Sequence, residues 1–293
     1  MSNRLGALAK GFAKGLAKAT RTKSKGQGAG FDESSETAIS IRSVSFSYTR
    51  KPFIEDFNLD IPRGKVTSIV GPNGSGKSTL LKLVDGLVVP HKGEILIEGT
   101  ACLSMSGKER ARRLALLVQG PRPPAMSVET LVACGRYPSQ GRGHRSLDQS
   151  DRQHIENAMT LAKVAQFRHK DMRKLSGGEQ QRAFMAMTLA QDTGIIVFDE
   201  PTNFLDVRAS HEIMQLVREL NGTSGKTFVM VIHDLDLALR YSDNVVVMEQ
   251  GRSVFVGGVD EAYESKVIES TFHVKVCRFP SSDQPAYTLF PLA

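Results

Sequence analysis

Residues Gly71 to Thr79 read GPNGSGKST, and the chain changes character on either side of them. Val66 to Val70 (VTSIV) has the composition of a buried strand, and about Lys77 to Val84 has the periodicity of a helix. A G-x-x-x-x-G-K-[ST] loop between a strand and a helix is a phosphate-binding arrangement. Its glycines, Gly71, Gly74 and Gly76, let the backbone curl until successive N–H groups face one centre, and the helix N-terminus adds positive potential. Pro72, Asn73, Ser75 and Thr79 complete the cradle. Lys77 is placed to reach β- and γ-phosphates, and Ser78 to offer its hydroxyl to Mg²⁺.

Further along, Ile195 to Pro201 reads IIVFDEP. Four apolar residues predict a buried strand, with Asp199 and Glu200 emerging at its C-terminal end, where open α/β sheets bind ligands. Asp199 can hold Mg²⁺ there, directly or through water. Glu200 can polarise an attacking water as a general base. Thr227 to Ile232 predicts a further strand ending in His233, which can hydrogen-bond a γ-phosphate from the same sheet edge.

Around these motifs, Ile39, Ile41, Val44 and Phe46 predict a roughly alternating strand, and Glu94 to Glu98 another, forming a β-rich N-terminal portion. From about 120 to 175 strand signals are weak. Prolines stand at 121, 123 and 124, and Arg152 to Val164 has helical periodicity, which predicts a helical subdomain over about 120–190. Strands are expected again at Val245 to Met248, and a helix at about Arg208 to Leu220. Strands alternating with helices predict an α/β fold with a mainly parallel sheet covered on both faces.

The 293 residues are 40% hydrophobic and 24% charged, enough for a large core. No apolar run approaches the roughly 18 residues of a membrane span, which excludes a channel or a membrane-spanning carrier. Net charge is +7, yet residues 1–31 hold seven basic residues and no acid. Taking those seven from 38 leaves 31 basic against 31 acidic residues, so the body is neutral and no nucleic-acid partner is expected. Residues 1–38 read as a basic, flexible extension ahead of one domain over 39–293. In the extension Leu5, Leu8, Phe12 and Leu16 cluster on one helical face opposite Lys10, Lys14 and Lys18. This fits auxiliary contact with an anionic membrane or, given Gly6, Gly11 and Gly15, a solvated tail. Cys102, Cys134 and Cys277 are far apart and odd in number, which predicts reduced thiols and no structural zinc.

Leu175 to Arg182 reads LSGGEQQR, ahead of a helix. In order with GPNGSGKST, Gln119, IIVFDEP, Asn203 to Asp206 (NFLD) and His233, it resembles the ATP-binding subunits of ABC transporters, over about residues 39–293. The resemblance implies a P-loop NTPase core with an N-terminal β-rich portion and a helical subdomain carrying the signature. It implies ATP hydrolysis with Mg²⁺ and catalytic roles for Glu200, His233 and Lys77. Tyr48 would stack on adenine. Gln119 would meet Mg²⁺ and couple to the membrane subunit. Ser176, Gly177 and Gly178, with Glu179 after them, would address the γ-phosphate of ATP held by another subunit, and Asp206 would communicate across the pair. One set of motifs implies pairing with a second copy, on the cytoplasmic face of the membrane, beside integral permease subunits and, indirectly, a substrate-binding protein. The segments RRLALLVQ, TLVACGRYP and HDLDLALRYSD are similar to ferric siderophore importers, with cobalamin, haem or metal ions as alternative cargo. A non-transport ATPase acting on nucleic acid or ribosomes is the alternative of another class. Glu179, Asn203 and Asp236 depart from the residues expected there (Gln, Thr and Asn), and Gly120 to Ala125 is unusually Pro-rich.

Overall fold

The computed structural model describes residues 36–49, 52–140, 146–280 and 285–292. The proposed amphipathic segment of the basic extension lies outside them. The chain opens with strands β1 (Thr37–Phe46), β2 (Ile54–Pro62) and β3 (Val66–Val70), then helix α1 (Lys77–Val84) and strands β4 (Lys92–Ile97) and β5 (Thr100–Ala101). β1, β2, β4 and β5 form an antiparallel sheet in the order β2-β1-β4-β5. In β1 the buried residues Ile39, Ile41, Val44 and Phe46 slip by one position after Ile41, where strict alternation would require residue 43. A bulge explains the slip: register breaks between Ile41 and Val44, and Ser43 takes φ 47°. Gly93 of β4 lies against it, where a Cβ would sit 2.3 Å from the Arg42 carbonyl oxygen.

Short helix α2 (Gly107–Ala111) leads into strand β6 (Leu114–Leu117). Helices α3 (Val128–Cys134), α4 (Gln149–Leu161) and α5 (Gly177–Ala190) follow. Among the described residues no strand falls between β6 and β7 (Ile195–Asp199), apart from an isolated bridge between Ser127 and Asp171. Then come α6 (Val207–Ser224), β8 (Thr227–Val231), α7 (Leu235–Tyr241), β9 (Asn244–Glu249) and β10 (Arg252–Gly258). The second sheet has the order β10-β9-β3-β8-β7-β6, parallel except for the β10 edge. The chain closes with α8 (Val259–Glu264), α9 (Val267–Phe272) and a hairpin of β11 (Val274–Phe279) and β12 (Ala286–Pro291).

Alternate residues of the parallel strands enter two different cores. Phe198, Phe228, Met230 and Val247 face the layer of α3 to α7. Val197, Val229, Val231 and Val246 face α1 and the antiparallel sheet. Burial on both faces is why these strands read as unbroken apolar runs.

A buried ion pair fastens the helical layer. Arg136, just after α3, donates from Nε to Asp151 of α4 at 2.9 Å and from Nη1 to the Ala190 carbonyl at the end of α5 at 2.6 Å. Both side chains are buried. Asp151→Ala strands the guanidinium away from water, so chemical denaturation should show a loss of about 3–5 kcal/mol, the cost of breaking one half of a buried pair.

Candidate functional site

The strand order carries the site. Four adjacent parallel strands, β3, β8, β7 and β6, end side by side. Past their C-terminal ends come, in the same order, the loop 71–79, His233, Glu200 and Gln119. Residues as far apart in sequence as Gly71 and His233 therefore meet at one edge.

Gly76 takes φ 105° and precedes α1, whose first turn has no side-chain cap. The first N–H groups of α1 thus have no side-chain acceptor and suit an anion. A Cβ on Gly71 would lie 2.2 Å from the Met248 carbonyl oxygen of β9, so no side chain fits there. Lys77 donates to the carbonyls of Gly71 at 2.7 Å and Pro72 at 3.0 Å. Burial holds its ammonium below the usual lysine range, against the opposing pull of Glu200 and Asp199. An anion entering the loop would have to win this ammonium from two backbone carbonyls. Ser78 Oγ donates to Asp199 Oδ1 at 3.3 Å. Burial, reinforced by the neighbouring Glu200 charge, raises the Asp199 carboxyl above its ordinary range.

Glu200 is 8% exposed and has φ 54°, a left-handed conformation that a side chain rarely adopts. Its N–H bonds the Val231 carbonyl at 3.0 Å, which pins it to the end of β8. Three side chains hold its carboxylate. Asn203 Nδ2 donates to Oε2 at 2.8 Å, Gln119 Nε2 donates to the same oxygen, and His233 Nε2 lies 2.5 Å from Oε1. Gln119 and His233, placed at one sheet edge by their strands, thus both contact Glu200.

Tyr48 sits at the rim, largely exposed, with its hydroxyl 3.3 Å from Thr79 Oγ1 and its ring edge-on to Phe46 and Phe53. Phe53 itself lines the cavity over Asn73, Gly74 and Lys77, a neighbour that the sequence reading passes over. Its signal was an apolar ring just ahead of β2, beside Tyr48 across the β1–β2 connection.

Ser176, Gly177 and Gly178 are not brought to this cavity. They line a second one with Phe204, Asp206 and Arg208. Ser176 caps α5, and Glu179 closes the capping box by accepting the Ser176 N–H at 2.7 Å. The Glu179 carboxylate is thereby engaged, and these bonds hold it below the usual range. A Cβ on Gly177 would meet nothing within 4 Å, and one on Gly178 only Ala209 Cβ at 3.6 Å. Phe204, at φ 60°, is 90% exposed beside them. Each chain therefore presents the loop 71–79 at one place and the capped but open start of α5 at another.

Residues 54–203 match the ABC transporter family. The chain is 40% identical over 241 residues to the petrobactin import ATP-binding protein of Bacillus anthracis, covering 82% of this chain and 88% of that one. It is 34% identical over 258 residues to the iron(3+)-hydroxamate import ATP-binding protein of Bacillus subtilis, covering 87% and 96%. Among solved structures it resembles a dimeric ATP-binding cassette in a post-hydrolysis state bound to ADP and Pi, with a TM-score of 0.66 and 27% identity over 75% of this chain and 98% of that one. No helix of the described residues is long and apolar enough to cross a membrane.

Proposed function

We propose, from the premise that this chain belongs to the ABC transporter family, that it is the ATP-hydrolysing subunit of an importer for iron(III)–siderophore complexes. The observation that carries the ATPase reading is the meeting of Glu200, Gln119 and His233 beside the loop of Lys77 and Ser78. The cargo reading is supported by the petrobactin and hydroxamate importers among its relatives.

In this reading the backbone N–H groups of residues 71–79 hold the triphosphate, and Lys77 leaves its carbonyls for the β- and γ-phosphates. Tyr48 stacks on adenine. The donors Ser78 Oγ and Asp199 Oδ1 suit a hard divalent cation that shares its coordination with phosphate and water. Among the described residues there is no cluster of three or more acidic, His or Cys side chains to hold a metal alone. Ser78, Asp199 and Gln119 would hold Mg²⁺, which when bound would neutralise charge at the phosphate oxygens. Glu200 takes a proton from water, and His233 contacts the γ-phosphate. The Ser176 to Gly178 turn serves a second copy of the chain, so two ATP molecules are enclosed head to tail. The exposed segment after Gln119 faces the permease, and the chain works at the cytoplasmic face of the membrane.

Purification of the tagged chain from membranes tests this function. The expected result is recovery of integral permease subunits and an ATPase rate that rises with a binding protein loaded with ferric siderophore. Stimulation by a cobalamin-loaded binding protein instead would transfer the role to that cargo. Recovery of ribosomes without any integral membrane protein would overturn the transport reading.

A further inference from the structure

Asn203 is the one member of the Glu200 grip that lies outside the motif residues given a catalytic or cation role, at a position where the resemblance leads us to expect Thr. Its backbone N–H donates to the Glu200 carbonyl at 3.2 Å, closing a turn over Pro201. The same turn delivers its Nδ2 to Glu200 Oε2 at 2.8 Å. One short turn thus fixes both the main chain and the carboxylate of a residue held at φ 54°.

We propose that Asn203 is a positioning residue that selects which oxygen of Glu200 reacts. A carboxylate offers about four lone-pair sites. Asn203 and Gln119 together fill those of Oε2, whereas among the described residues Oε1 has a hydrogen-bond contact with His233 alone. Oε1 therefore keeps a lone pair for the attacking water. The water's proton goes to Oε1 as its oxygen bonds the γ-phosphorus and the bond from that phosphorus to the ADP oxygen breaks. Without the Asn203 donor the carboxylate can rotate, and the fraction of Glu200 aligned for attack falls. The next residues, Phe204 to Asp206, border the cavity shared with Ser176 and Gly178, so the turn that aims the base also abuts the surface offered to a twin. The inference rests on Glu200 acting as the base.

The test compares Asn203→Leu, which keeps the size and removes the donor, with Asn203→Thr, which restores a hydroxyl donor. Asn203→Leu should lower kcat about tenfold with the KM for ATP within about twofold, and Asn203→Thr should recover most of that loss. In a Glu200→Gln background, Asn203→Leu should add no further loss, because the two act as one unit. Wild-type turnover in Asn203→Leu with an inactive Glu200→Gln overturns this inference alone. So does a loss in Asn203→Leu that persists undiminished in the Glu200→Gln background, or one matched by a rise in KM. Normal turnover in Glu200→Gln itself overturns the base assignment and this inference together.

Discussion

Glu200→Gln is expected to lower ATP turnover by roughly 10²–10⁴-fold, the range contributed by a positioned general base. Nucleotide affinity should change little, because the phosphate loop, Lys77 and Ser78 are untouched. Glutamine keeps the length of the side chain and one acceptor for the donors of Gln119 and Asn203. It removes the charge and the basic oxygen that faces His233. Phosphate release and titration with a fluorescent ATP analogue, measured on the same preparation, separate the two effects. Equal loss of binding and turnover would place Glu200 in nucleotide binding and outside the chemical step.

A loss of about 10³-fold is also expected from Gly178→Asp, in the second cavity. A Cβ at Gly178 meets nothing closer than Ala209 Cβ at 3.6 Å. An acid in the first turn of a helix favours the macrodipole, so the variant should fold. What it opposes is a phosphate arriving from a twin. Two like unit charges about 4 Å apart repel by about 4 kcal/mol at an effective dielectric constant of about 20. Binding of ATP to the single chain should therefore stay within about threefold of wild type while hydrolysis falls away. Unchanged hydrolysis would mean that the Ser176 to Gly178 turn never meets nucleotide. Weakened binding to the isolated chain would mean that it meets its own.

The fold and the site are unequally legible in the sequence. Val66 to Val70 and Lys77 to Val84 were read at the bounds the structure gives, because the loop between them is fixed by its glycines and the strand is apolar throughout. β2 gives only a partial strand signal although Phe57, Leu59 and Ile61 alternate, because the alternation breaks between Ile54 and Phe57, where Asp56 takes φ 46°. β10 and the β11–β12 hairpin are half exposed, so their apolar pattern is thin. The motif residues could be picked out one by one. Their meeting could not, since it depends on β8 lying between β3 and β7 and on β6 lying beside β7. Asn203 was visible only as an unexpected residue. Its bond to Glu200 depends on the left-handed backbone at Glu200, which no composition or spacing announces. Asp236, the other unexpected residue, accepts the Tyr287 N–H at 3.1 Å and so ties α7, just after His233, to the C-terminal hairpin.

In the proposed reading, the triphosphate site of one chain is completed by the open start of α5 of another. Light scattering on the Glu200→Gln chain, with and without ATP and Mg²⁺, tests it most directly. A shift from 32.0 kDa to twice that mass on adding nucleotide is the expected result. A chain that binds ATP yet stays at 32.0 kDa at every concentration would contradict it.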